Sequence, residues 1–163
     1  MIRKASSDDF EFVYGMYMHP QVNRFLLYDM MGADQFRPVF EELLQRGVKF
    51  IYENERVPVG MFKLVPNSYR SSHVVYLGGL AVHPDFAGRG YGMSMMNEII
   101  LYAEQHGFLR IELSLYAENA KARRLYEKAG FQEEGMSRKL TYLRSENAFV
   151  DEVLMSWLSD KIK

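Results

Sequence analysis

Between Tyr76 and Gly92 an apolar run, Tyr-Leu-Gly-Gly-Leu-Ala-Val, passes through His83-Pro84 into Gly88-Arg-Gly-Tyr-Gly92. This is the pattern of a strand, stopped by Pro84, that reaches a glycine-rich turn opening a helix. In the helix that follows, Met93, Met96, Ile99, Ile100 and Ala103 share one face, and Gly107 suits the position just past its end, where positive φ is common. Three of the chain's twelve glycines fall within five residues here. A turn of this kind can aim several backbone N–H groups at one point, and the positive end of the helix dipole favours an anion there. Without a Cβ, a pyrophosphate can come close to the backbone. Two phosphate motifs are disfavoured by the letters themselves. A dinucleotide fingerprint needs glycine where Met93 stands, and a Walker loop needs Gly-Lys-Ser/Thr, so neither NAD nor ATP is expected as the main ligand.

The rest of the chain is read around this turn. Ile2 to Ala5 predicts a short first strand, and Ser6 or Ser7 a helix cap with Asp8, Asp9 and Glu11 in the first turn. Apolar positions from Phe10 to Arg46 recur at three- and four-residue spacing with breaks at Pro20 and Gly32, which predicts two or three short helices. Val48–Tyr52 and Val57–Val65 read as a hairpin joined at residues 53–56, and a third strand covers about His73 to Val82. Leu109 to Leu115 alternates apolar residues with Arg110, Glu112 and Ser114, a strand with one wetter face. Asn119 is a good N-cap for a helix with Ala122, Leu125, Tyr126 and Ala129 on its apolar stripe, and Gly130 is its stop. A final hairpin runs over about Phe131–Leu143 and Phe149–Leu158. The expected fold is α/β (α+β): one mixed, mostly antiparallel central sheet flanked by helices, as one domain over residues 1–163.

With 163 residues and 48% hydrophobic content the chain can fill a substantial core. A formal charge of -1 lacks the basic field that nucleic acid or an anionic membrane usually requires. The absence of Cys excludes disulfides, thiolate metal ligands and a Cys nucleophile. No stretch approaches the ~20 apolar residues that span a bilayer, and the first residues carry no apolar run of the secretory kind. The expectation is a cytoplasmic protein, with no metal cluster of convincing ligand spacing.

Two blocks carry a resemblance. Ala87-Gly88-Arg89-Gly90-Tyr91-Gly92 is similar to Arg/Gln-x-x-Gly-x-Gly/Ala, with Ala87 in place of the preferred Arg or Gln. Asn119-Ala-Lys-Ala122-Arg-Arg-Leu125-Tyr126-Glu-Lys-Ala-Gly130-Phe131 is similar to Asn-x-x-Ala-x-x-Leu-Tyr-x-x-x-Gly-Phe. In this order, with a helix and a strand between them, they resemble the GNAT superfamily of acetyl-CoA-dependent N-acetyltransferases over about residues 76 to 135. The resemblance implies an acetyl-CoA-binding core at about 73–135 and an acceptor side at about 6–46, rich in aromatics and Met such as Phe25, Tyr28, Met30 and Met31. The backbone of Leu80, Ala81 and Val82 would pair with the pantetheine arm. The amides of Gly88, Arg89, Gly90, Tyr91, Gly92 and Met93 would hold the pyrophosphate. Asn119 would cap its helix and touch the cofactor, and Tyr126 would be the general acid for the departing thiolate.

Many relatives place a Glu base on the strand before the loop, whereas this strand has no carboxylate; Glu112, His73 and His83 are the candidates. Lys121, Arg123, Arg124 and Lys128 read as a solvated helix face, with a CoA phosphate contact as the alternative. Asp151 and Glu152, in Phe-Val-Asp-Glu-Val-Leu-Met, read as structural or substrate-lining. The implied function is transfer of the acetyl group of acetyl-CoA to a primary amine (an amino acid, a small amine or a peptide N-terminus) in a ternary complex. The alternative is a noncatalytic acyl-CoA-binding sensor or interaction module. A homodimer is left open.

Overall fold

In the computed structural model, which describes residues 1–163, seven strands and four helices make up the regular structure, joined in places by short 3₁₀ turns. In chain order they are β1 (Ile2–Lys4), α1 (Phe10–Tyr17), α2 (Ala33–Gln45), β2 (Lys49–Asn54), β3 (Val57–Pro66), β4 (Val74–Val82), α3 (Tyr91–Gln105), β5 (Arg110–Tyr116), α4 (Ala120–Lys128), β6 (Gln132–Leu143) and β7 (Ala148–Leu158). The strand order is β1-β2-β3-β4-β5-β7-β6. The sheet is mixed, since β4 and β5 are parallel while β1–β2, β2–β3, β5–β7 and β6–β7 are antiparallel. The mixed, mostly antiparallel sheet expected from sequence is the one found. The residues group into two units, one formed by Met1–Leu64 with Gly79–Met95 and the other by Val65–Gly78 with Met96–Lys163.

In the first unit, polar contacts pin the chain start. Arg3 sends Nη1 and Nη2 to the two oxygens of Asp9, each at 2.8 Å, and Nε to Glu53 at 2.7 Å. Asp9 also accepts the Ser6 amide at 2.8 Å, which closes the 3₁₀ turn Ser7–Asp9 that leads into α1. Burial pushes the Asp9 carboxyl up, but the Arg3 and Ser6 hydrogen bonds outweigh it and hold the group below its usual range. Below these contacts α1 and α2 close an aromatic core. Phe10 stacks on Tyr14 at 5.8 Å and meets Phe40 edge-on at 5.5 Å, while Tyr17 packs on Phe36 at 5.4 Å and Tyr28 at 5.0 Å. Of the aromatic and Met residues read as an acceptor side, Phe25 and Met30 are exposed, whereas Tyr28 and Met31 pack against this core.

A lysine is buried within the same unit. Lys49, on β2, is 1% exposed and donates from Nζ to the Tyr17 hydroxyl at 3.2 Å. Burial lowers its pKa well below the lysine range, and Lys63, directly across the β2–β3 ladder, adds to the effect.

The second unit is built on the long antiparallel ladder of β5 with β7, from Arg110↔Leu158 to Tyr116↔Glu152. Ile111, Leu113 and Leu115 alternate inward along β5 as the sequence pattern requires, and Val153 and Met155 are buried on β7. Strand β6 pairs with β7 through two register shifts, one of them between Ser137 and Thr141. In that bulge Lys139 takes φ +52° and its amide donates to Asp151 at 2.7 Å. Arg110 anchors the far end, bonding Glu112, Glu134 and Ser156. The Arg110 hydrogen bond brings the Glu134 carboxyl down to about 2.

Because the folded pKa of Lys49 lies below its unfolded value of ~10.4, the unfolded chain binds more protons over the pH range between the two values. The folded state therefore gains relative stability as pH rises toward that value. Replacing Lys49 with Met removes this gain. The stability difference between wild type and Lys49→Met, followed by denaturant unfolding across the alkaline range, is expected to move in favour of wild type as pH rises.

Candidate active site

In the first unit the site candidates lie where β4 ends. Leu80, Ala81 and Val82 close the strand, and the His83 amide donates to the Val59 carbonyl at 2.8 Å. His83 caps the 3₁₀ turn Pro84–Phe86, its Nδ1 accepting the Asp85 amide at 3.2 Å. That bond makes Nδ1 an acceptor in the neutral ring and leaves the proton on Nε2. His83 thus has a local capping role, and its ring packs among Phe12, His19 and Phe86.

The glycine turn follows. Gly88 and Gly90 have φ of +75° and +82°, and a Cβ built on either meets nothing within 4 Å. Packing therefore does not require glycine here; the left-handed backbone does, and it leaves an open face beside the first turn of α3. The Ser94 amide returns to the Gly90 carbonyl at 3.1 Å, which leaves the amides of Tyr91, Gly92 and Met93 as the unpartnered first-turn donors of a fifteen-residue helix. Arg89 lies over the Phe86 ring at 5.6 Å, and Tyr91 packs edge-on against Phe86 and Tyr52. The open cradle and free amides fit a pyrophosphate.

Gly79, just before Leu80, is glycine for a different reason. Its φ is +57°, and a Cβ would lie 2.8 Å from the Tyr17 hydroxyl and 3.9 Å from Lys49 Nζ.

The second unit holds Asn119, Tyr126 and Glu112. Asn119 caps α4 as its residue type predicts, accepting the Ala122 amide at 3.2 Å. Tyr126 is buried on α4 with its ring 5.9 Å from Phe131. Burial first, and the neighbouring Tyr76 phenol second, push its pKa up, so the hydroxyl holds its proton at neutral pH. The Glu112 carboxylate is bound by Arg110 Nε at 2.8 Å. His73 serves through its carbonyl, which accepts the amides of Leu109 and Arg110. On α4, Arg123 pairs with Glu133 at 3.2 Å, while Lys121, Arg124 and Lys128 are exposed. No group of three or more His, Asp or Glu is placed to hold a metal ion, and no helix is long and apolar enough to cross a membrane.

The structure separates the two acidic residues of β7. Asp151 holds the Lys139 bulge, whereas Glu152 is buried on the opposite face and accepts from Ser114 Oγ and Thr141 Oγ1, both at 2.6 Å. Ser114 in turn meets the Tyr76 hydroxyl at 3.2 Å. The sequence pointed to Glu152 as structural or substrate-lining, but not to its grouping with Ser114, Thr141 and Tyr76. The available signal was a pair of adjacent carboxylates in an otherwise apolar strand, together with Ser114 on the wetter face of β5.

A strand ending in an open glycine cradle, followed after one helix and one strand by a capped helix bearing a buried tyrosine, is the element order of the acetyltransferase fold class. The profile of the Acetyltransferase (GNAT) family matches residues 2–131, and the chain belongs to that family. It is 29% identical over 137 residues, 81% of its length, to an uncharacterised N-acetyltransferase of Methanocaldococcus jannaschii, of which the match covers 60%. It is 34% identical over 80 residues, 49% of its length, to the ribosomal protein bS18 alanine N-acetyltransferase of Salmonella typhimurium, of which the match covers 53%. The chain thus spans little more than half the length of these curated relatives. Among solved structures, the spermidine N-acetyltransferase of Vibrio cholerae in complex with CoA and spermine shares the fold. Its TM-score is 0.85 at 19% identity, over 99% of this chain and 96% of that one.

The two kinds of glycine make a prediction. Gly88→Ala adds only left-handed strain of roughly 1–2 kcal/mol. Gly79→Ala adds the same strain and also displaces Tyr17. Urea midpoints are expected to fall in the order wild type, Gly88→Ala, Gly79→Ala.

Proposed function

We propose that this chain is an acetyltransferase that moves the acetyl group of acetyl-CoA to a primary amine by direct attack in a ternary complex in the cytoplasm. The observation that carries the reading is the Gly88–Met93 turn, whose open left-handed backbone and free helix amides suit a pyrophosphate. Family membership and the CoA-bound structural neighbour support it. The acceptor is an amino acid, a small polyamine or a peptide N-terminus. The names of the relatives cover two of these, with an alanine-acetylating enzyme and a spermidine-acetylating one.

In this reading the amides of residues 88–93 hold the pyrophosphate, with Arg89, Tyr91, Gly92 and Met93 in that turn. The backbone of Leu80, Ala81 and Val82 lines the pantetheine arm, and Asn119 adds a contact beyond its cap. Acetyl-CoA, when bound, supplies an activated thioester carbonyl. Tyr126 keeps its proton to neutral pH and gives it to the sulfur as the thiolate leaves. Glu112 is the carboxylate named by sequence as base, and here it would have to work while paired with Arg110.

Two measurements test the reading. Acetyl-CoA at a hundred times its Kd adds about 2.7 kcal/mol of stability. Melting should therefore rise with acetyl-CoA and not with NAD or ATP; no shift at saturating acetyl-CoA overturns the assignment. A shift without CoA release for any amine supports the noncatalytic acyl-CoA-binding module instead. Tyr126→Phe is expected to lower kcat by roughly ten- to a thousandfold while acetyl-CoA binding stays intact. Unchanged turnover in that variant removes Tyr126 from the mechanism.

A further inference from the structure

The second unit contains a buried carboxylate with no cation beside it. Glu152 is 9% exposed, and its two oxygens are taken by hydroxyl groups, Oε2 by Ser114 and Oε1 by Thr141. An anion removed from water without a positive partner is costly, and two neutral hydroxyls offset only part of that cost.

The hydrogen-bond directions point outward from it. Ser114 has one hydroxyl proton, and it goes to Glu152, so Ser114 Oγ can only accept from Tyr76. The Tyr76 phenol therefore donates inward, and its own oxygen retains lone pairs to accept a proton from outside. Tyr76 is half-buried and is also the group whose ionisation raises the Tyr126 phenol, so the outer end of the chain lies within electrostatic reach of the proposed acid. Thr141 Oγ1 completes the far oxygen of the carboxylate and fixes its orientation.

We infer that Tyr76, Ser114 and Glu152 form the proton relay that deprotonates the incoming amine, with Glu152 as the terminal base and Thr141 as the residue that positions it. The inference rests on the acetyltransferase reading and names the base for that reaction. An ammonium N–H breaks and its proton passes to the Tyr76 oxygen. The Tyr76 proton passes to Ser114 Oγ, and the Ser114 proton to Glu152 Oε2. The freed nitrogen lone pair forms the C–N bond to the acetyl carbon. As the C–S bond breaks, its electron pair stays on sulfur, which takes the Tyr126 proton. The second N–H proton of the adduct restores the Tyr126 phenol, the third remains on the product amide, and the proton on Glu152 leaves to solvent.

The test uses the whole chain with acetyl-CoA and three acceptors: spermidine, spermine and a peptide beginning with alanine. CoA release is followed against pH for wild type, Glu152→Gln, Tyr76→Phe and the double variant. Glu152→Gln should lower kcat by roughly a hundredfold at neutral pH with the KM for acetyl-CoA and its thermal shift unchanged. The deficit should shrink as pH rises and the amine loses its proton without help. Because the relay acts in series, the double variant should be no slower than the slower single one. Tyr76→Phe removes only one oxygen and keeps the test valid if Glu152→Gln folds poorly. The relay is overturned by near wild-type kcat in Tyr76→Phe or in folded Glu152→Gln, by losses that multiply in the double variant, by an effect confined to the KM of the amine, or by a pH-dependent deficit that follows Glu112→Gln instead. Wild type that binds acetyl-CoA yet releases no CoA with any of the three acceptors overturns the acetyltransferase reading, and the relay with it.

Discussion

The chemistry of the C-terminal unit depends on one register, that of β7 against β5. With Tyr116 opposite Glu152, the side chains of Ser114, Tyr116 and Glu152 share a face of the ladder, and Asp151 takes the other. Strand side chains alternate, so a slip of one residue would bury Asp151 and expose Glu152, and the hydroxyl partners would be lost together. The bulge in β6 belongs to the same arrangement. Ser137 pairs with Glu152, yet Thr141, four residues further on, pairs with Val150. The extra residues that this mismatch forces out are held by Asp151 through the Lys139 amide, and the return of the strand brings the Thr141 hydroxyl onto Glu152. The two adjacent carboxylates therefore act on one problem from opposite faces, Asp151 fixing the backbone that presents the partner of Glu152.

The N-terminal unit solves a different one. In the proposed reading its contribution is mostly backbone, and backbone can be offered to a ligand only where side chains are absent or turned away. At Gly88 and Gly90 the space beyond the main chain is open. At Gly79 it is filled from the interior by the Tyr17 hydroxyl and, behind it, the Lys49 side-chain nitrogen. A buried lysine bonded to one phenol is a poor way to add stability. Its effect is to fill the inner side of β4 with a stiff polar pair at the residue where the strand takes a left-handed step, just before Leu80.

What could be read from the sequence is what forms within about four residues along the chain. The Asn119 cap, the stops at Gly107 and Gly130, the strand end at Pro84 and the glycine turn all arise from local backbone chemistry, and each appears where its residue type predicts. The family blocks are local in the same sense. Features set by long-range pairing were not legible. Lys49 stands in a strand that reads as ordinary, and only its burial against Tyr17, thirty-two residues away, makes it unusual. Glu152 and Ser114 are thirty-eight residues apart, and no periodicity announces that register. The left-handed Lys139 was equally hidden, because a non-glycine residue takes that conformation only when something distant, here Asp151, holds it. Glu112 was attractive in sequence as a carboxylate on a wet strand face, and that same face brings Arg110 to it.

The coupling between the two phenols explains why a relay suits this site better than a direct tyrosine base. If Tyr76 kept the proton deficit as a phenolate, its negative charge would raise the Tyr126 pKa further, the direction already set by their interaction. The acid would hold its proton more tightly at the moment the thiolate needs it. Passing the charge change through Ser114 to Glu152 leaves Tyr76 neutral before and after each transfer. The negative charge that disappears during deprotonation is then that of the buried carboxylate, whose neutral form is the less costly one to bury. Removal of a proton from the amine and delivery of one to the sulfur are thereby kept from opposing each other, although both pass through tyrosines of the same unit.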